Sequence, residues 1–297
     1  MTARCLSPCA SSHVVETHPH DPGAFTQGLL VDDSGSLWES TGLRGESEIR
    51  QVDVETGEVL ESRPLDPELF GEGLTQAADG ELVQLTWTSG RALRWQRSPL
   101  VSSGGFDYEG EGWGITTLDD TFYAMSDGSS TLAFRSPEDF ARVGEMELRR
   151  GDGPVGELNE LEWDGDRLWA NRYQSDEILR AELDCGVVDG VVDAGSLRAL
   201  AAEAIGEAGL DRDLEDRDVL NGIAWLGEDT PERYYVTGKR WPLLFEVEFV
   251  ERRADSGMRG RHRGSLGLEG GPVRVPDATG DGSMSRPAEV HCTVRNR

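Results

Sequence analysis

Two ionisable residues in this chain sit in settings suited to proton transfer. Glu72 lies in Phe70-Gly71-Glu72-Gly73, where flanking glycines let the backbone approach its neighbours closely and adopt unusual dihedrals. A phenyl ring beside a carboxyl group desolvates it and raises its pKa toward the range useful in general acid/base catalysis. Lys239, in Val236-Thr237-Gly238-Lys239-Arg240-Trp241, is the single lysine among 29 basic residues; all the others are arginine. A compact ammonium with a tunable pKa differs from a planar, permanently charged guanidinium mainly inside a site. Each residue also has an ordinary explanation: a turn glutamate in an acidic chain, and a lysine surviving in an arginine-biased genome. The five histidines, at 13, 18, 20, 262 and 291, lie away from both, so Ser-His-Asp and Cys-His mechanisms are poorly supported and no metal-ligand spacing is present.

An internal repeat supplies the elements that position these groups. Five segments begin with a polar or aromatic residue, a small or acidic one and an aliphatic one. They are Gln27-Gly28-Leu29, Glu72-Gly73-Leu74, Trp113-Gly114-Ile115, Asn159-Glu160-Leu161 and Asn221-Gly222-Ile223. After a turn, each is followed by an apolar strand that starts at 37, 82, 122, 168 or 234 and runs into Thr, Ser or Asn. Short strands with Gly/Asp turns at intervals of about 40–50 residues predict an all-β, five-bladed β-propeller. The longer last interval holds 196–218, with Ala, Leu and Glu at helical spacing, which predicts a short helical insertion between blades four and five.

In such a fold the equivalent residues Gln27, Glu72, Trp113, Asn159 and Asn221 ring one mouth of the central channel. The second strands end at the same mouth, which brings Trp87, Tyr173 and Lys239 within reach of Glu72. With Phe25 and Trp87 adding an apolar wall, a carboxylate, an ammonium, amides and aromatic rings converge as they do in small-molecule or side-chain pockets.

Composition bounds the rest. A net charge of −27 excludes a general nucleic-acid or anionic-membrane binder. Dispersed carboxylates with almost no lysine fit a high-salt environment, where ions screen self-repulsion. The scattered cysteines (Cys5, Cys9, Cys185, Cys292) imply no disulfide framework, and neither a signal peptide nor a membrane span is visible. Residues 1–13 are expected to be an N-terminal extension and 14–250 the propeller. Residues 251–297, rich in Gly, Arg, Ser and Pro, are expected to be a disordered tail.

Nine motifs, in order over residues 25 to about 248, resemble the plant and bacterial type of glutaminyl-peptide cyclotransferase. They are Phe25-Thr26-Gln27-Gly28-Leu29, Glu39-Ser40-Thr41-Gly42, Phe70-Gly71-Glu72-Gly73-Leu74, Leu85-Thr86-Trp87, Glu111-Gly112-Trp113-Gly114, Ser126-Asp127-Gly128, Leu158-Asn159-Glu160-Leu161-Glu162, Leu220-Asn221-Gly222-Ile223-Ala224 and Val236-Thr237-Gly238-Lys239. That family is a five-bladed propeller. The resemblance implies an enzyme that converts N-terminal glutamine of peptides to pyroglutamate with release of ammonia and, unlike the zinc-dependent animal type, needs no catalytic metal; a monomer without a cofactor is expected. It implies Glu72 as acid/base, with Gln27, Asn159 and Lys239 as polar site residues. Phe25, Phe70, Trp87 and Trp113 become the aromatic pocket, with Asn221 beside them. Tyr173 stands where the family often has tryptophan, which adds a hydroxyl to that wall. Relatives are commonly exported.

Two rival readings use the same residues. A lactonase-like hydrolase would hold calcium at Glu72, Asn159 and Asn221. A non-catalytic propeller would only bind peptides.

Overall fold

Runs such as Leu82-Val83-Gln84-Leu85 are too short for helices and apolar on both faces, as strands packed between layers must be. The structure is a computed structural model that describes residues 9–210 and 212–251. The tail expected at 251–297 lies outside the described residues beyond Glu251. The first sheet is antiparallel and holds β2 (Thr26–Val31), β3 (Leu37–Thr41), β4 (Glu48–Val52) and β5 (Val59–Pro64), preceded in the chain by β1 (Cys9–Pro19). The second holds β6 (Gly71–Gln76), β7 (Leu82–Thr86), β8 (Arg91–Arg97) and β9 (Leu100–Asp107). The third holds β10 (Ile115–Leu118), β11 (Phe122–Met125), β12 (Thr131–Arg135) and β13 (Arg142–Glu147).

A small hairpin, β14 (Arg149–Arg150) and β15 (Gly153–Pro154), leads into β16 (Leu158–Trp163), β17 (Leu168–Arg172), β18 (Glu177–Glu182) and β19 (Val187–Asp193). After α1 (Gly195–Glu207) come β20 (Leu220–Trp225), β21 (Arg233–Gly238) and β22 (Leu243–Glu251). The last two groups are joined through β1, which runs parallel to β19 and antiparallel to β22. Residues 9–13 therefore belong to a strand, not to the expected N-terminal extension. The polar sequence Cys9–Pro19 lacks a clean apolar alternation, so its pairing was not readable from its own residues.

The apolar core lies between neighbouring sheets rather than within one. Trp38 and Ile49 pack with Leu74, Leu82 and Trp95, and Val83 and Leu85 pack with Ile115 and Tyr123. Ala124 and Leu132 pack with Leu161 and Leu168, and Trp169 and Ile178 pack with Ile223 and Phe245. Leu29 and Leu37 then pack with Ala224 and Leu244, which closes the cycle. The first strands follow the same order, with β2 against β6, β6 against β10, β10 against β16, β16 against β20, and β20 against β2.

Glycine makes that approach possible. A Cβ on Gly73 would stand 2.7 Å from the Ile115 amide, and one on Gly114 would stand 2.0 Å from the Asn159 carbonyl. The helix is shorter than the run 196–218 predicts, because Gly209 (φ +64°) follows its last turn. It buries Leu197, Ala201 and Ile205, spaced four apart. Cys185 is disulfide-bonded, where the sequence predicted no framework.

Candidate active site

The repeat places equivalent residues at equivalent points. Gln27, Glu72, Asn159 and Asn221 are each the second residue of a first strand, and Trp113 lies just before β10. At all four strand positions the ladder shifts register: between Thr26 and Gly28, Gly71 and Leu74, Leu158 and Leu161, and Leu220 and Ile223. A bulge turns a side chain out of the regular alternation, and here it does so four times at one end of the ring. Trp87, Tyr173 and Lys239 are each the first residue beyond a second strand (β7, β17 and β21).

Glu72 is 6% exposed, and its Oε1 accepts a hydrogen bond from Gln27 Nε2 at 3.1 Å. Gln27 Oε1 accepts from Asn221 Nδ2 at 3.4 Å, and the same amide donates to the Thr26 carbonyl at 3.1 Å. Asn221 thus stands behind Gln27, fully buried. Asn159 is buried, and its carbonyl accepts from Ser126 Oγ at 2.7 Å. Burial pushes the Glu72 carboxyl well above the usual carboxylate range; the Lys239 charge pulls it back and the Glu111 charge pushes it further up.

Lys239 is 4% exposed, with its Nζ 5.0 Å from the Phe25 ring centroid and 5.3 Å from that of Tyr173. Burial lowers it to about 8 against the opposing pull of Glu72. Among the described ion pairs none joins Lys239 to Glu72, yet each charge acts on the proton affinity of the other.

The rings form two edge-to-face sets. Phe70 meets Phe25 at 6.2 Å and Trp87 at 5.5 Å, and Trp113 meets Tyr173 at 5.4 Å. Every residue that the sequence placed in the site is therefore on this end of the ring. A cavity of about 530 Å³ opens at the opposite ends of β10, β16 and β20, lined by Trp163, Trp225, Asp119 and Asp164 among others. None of the expected site residues lines it.

The family model for glutamine cyclotransferase matches residues 3–249. The chain belongs to the glutamine cyclotransferase family. It is similar to a glutaminyl-peptide cyclotransferase of Arabidopsis thaliana, 36% identical over 245 residues, which cover 82% of this chain and 73% of that protein. It is also similar to the crystal structure of Myxococcus xanthus glutaminyl cyclase, with a TM-score of 0.73 and 34% identity, over 83% of this chain and 99% of that one.

In this family member three supports were missed by sequence reasoning. Glu111 Oε2 accepts the indole N–H of Trp87 at 2.7 Å and of Trp113 at 3.0 Å, so one carboxylate sets both tryptophan planes. Its place two residues before Trp113 was the available signal. Ser40 Oγ donates to the Glu72 carbonyl while accepting from Gln84 Nε2 at 2.7 Å, which fixes the backbone that carries the Glu72 carboxyl. His20 joins the Trp241 carbonyl at 2.7 Å to Glu39 at 3.2 Å, and Glu39 also accepts from Thr26 Oγ1 and Arg50. That cluster ties the turn carrying Lys239 to the strand carrying Gln27. Arg240 N donates to the Ala24 carbonyl beside it.

Proposed function

We propose that the chain is a metal-independent glutaminyl-peptide cyclotransferase that acts as a monomer on peptides and proteins with N-terminal glutamine. Its fold is read as a five-bladed propeller with β1 completing the fifth blade and α1 inserted between blades four and five. The cyclic contacts of the five first strands support that count.

The observation that carries the reaction is a buried carboxyl raised in pKa, facing a buried ammonium lowered in pKa, between aromatic walls. The α-amine of the substrate must lose a proton to attack its own side-chain carboxamide. Glu72, ionised, takes that proton as the N–C bond forms. Charge develops on the carboxamide oxygen, where the Lys239 ammonium or the Asn159 amide stabilises it. Protonated Glu72 then hands its proton to the nitrogen as the C–N bond breaks and ammonia leaves. Phe25, Phe70, Trp87, Trp113 and Tyr173 hold amine and carboxamide curled together, which supplies proximity. Gln27 orients Glu72, and Asn221 holds Gln27.

Ammonia release from a glutamine-initiated peptide tests the reading. Glu72→Gln is expected to lose 100-fold or more in kcat with unchanged circular dichroism, on the order of the general acid/base contribution. Turnover by the wild type should survive exhaustive chelation. Wild-type kcat in Glu72→Gln removes the acid/base assignment, and no ammonia from the wild type removes the enzyme.

A further inference from the structure

Away from this mouth, on the strand pair that closes the ring, two glutamates stand directly opposite each other. Glu16 of β1 pairs in register with Glu246 of β22. Like charges in that position repel, so a sheet ordinarily avoids them. The register is made by a bulge: Val14 pairs with Val247, and the extra residue Val15 then brings Glu16, rather than Val15, opposite Glu246.

Two residues further along the same face comes His18, diagonal to Glu246 across the ladder. His18 is 4% exposed, its Nε2 is buried without a hydrogen-bond partner, and its ring is packed edge-on to Tyr235 at 5.9 Å. A buried imidazole nitrogen with no partner is costly unless something fills its valence. One ligand atom from each of Glu16, His18 and Glu246 lies within 4.8 Å of the others. Arg233 holds Glu246 Oε1 at 2.5 Å, an outer hydrogen bond that fixes this carboxylate as second partners fix metal ligands.

We propose that Glu16, His18 and Glu246 bind a divalent cation, of the imidazole-plus-carboxylate preference typical of Zn²⁺, that staples β1 to β22. One imidazole and two carboxylates, with water completing the shell, match that ion's usual donors. The cation would offset the Glu16–Glu246 repulsion and give the His18 imidazole a partner at once. Bond lengths of about 2.0–2.2 Å require the three groups to draw slightly inward, which the exposed Glu16 side chain permits. None of the three donors is hydrogen-bonded or ion-paired to Glu72 or Lys239 among the described residues, so occupancy bears on ring closure and not on the proton transfers.

The test titrates Zn²⁺ alone into the chelator-stripped full chain by calorimetry, in wild type, Glu16→Gln and His18→Gln. The wild type should take up one more tight equivalent than either variant, or bind that equivalent tenfold or more tightly. Its Tm should rise with Zn²⁺ while that of Glu16→Gln, whose exposed side chain makes it safe for folding, should not. Equal stoichiometry and affinity in wild type and Glu16→Gln overturns the proposal, whatever His18→Gln does to folding. Unequal ammonia-releasing kcat between zinc-loaded and stripped wild type also overturns it, because it would place the ion in the catalytic machinery.

Discussion

Lys239 and Glu72 have moved toward each other in proton affinity, one down to about 8 and the other well up, each through burial. The sign of the pH dependence follows. On the proposed mechanism Glu72 must be ionised to accept a proton, so kcat/KM falls as the pH drops through its raised pKa. On the same mechanism Lys239 must be protonated to meet the oxyanion, so activity falls again as the pH rises through about 8. Deprotonation of the substrate amine near the same pH works in the opposite direction. Lys239→Arg keeps a cation that does not titrate in this range and should abolish the alkaline limb. Because a planar fork cannot present its donors as a compact ammonium does, kcat itself should drop on the order of 100-fold. A pH–rate profile of the variant with wild-type kcat, or with the limb intact, contradicts the role. Asn159 shares the oxyanion assignment and gives no such limb.

The strands that carry these residues are held by a cluster with its own pH signature. Burial alone would raise Glu39, yet Arg50 and His20 hold it down to about 2. A carboxylate depressed from 4.5 to about 2 contributes stability that is present above 4.5 and is lost as the pH falls toward 2. The linkage is on the order of 3 kcal/mol for this fully buried group. Glu39→Gln should therefore be about 3 kcal/mol less stable to denaturant at pH 7, with the difference shrinking below pH 4.5. A difference constant from pH 7 to pH 3 contradicts it. This cluster shows where sequence reading stops. Glu72, Gln27, Asn159 and Asn221 were legible because a repeat aligns them, and Trp87, Tyr173 and Lys239 because each ends a second strand. His20, Glu39 and Arg50 belong to no aligned position; their partnership exists only after the chain has come round. The four bulges were equally hidden, since register is a property of a strand pair and not of either strand.

At the scale of the molecule, a repeat of apolar strands predicted a cyclic layering of sheets, and the shared cores between neighbours agree with it. The charge of −27 is laid over that frame. Many carboxylates have an arginine beside them, as in Arg94 with Asp79 and Glu81, or Arg167 with Asp166 and Glu182. Acids outnumber bases by nearly two to one, so most of the field remains unpaired. Raising NaCl from about 0.1 M to 1 M shortens the screening length from about 10 Å to 3 Å. Tm should rise by several degrees across that range; a flat or falling Tm contradicts the reading of the acid excess.

The joint between β1 and β22 sets an order of events. His20 and Trp241, linked across it, are 221 positions apart in the chain. Contacts of such separation form late in folding, after the local hairpins. A chain still growing from its ribosome already possesses Glu72, but has neither Lys239 nor β22, the antiparallel partner of β1. Chemistry thus waits for the two ends of the described chain to meet, and activity becomes a readout of finished folding.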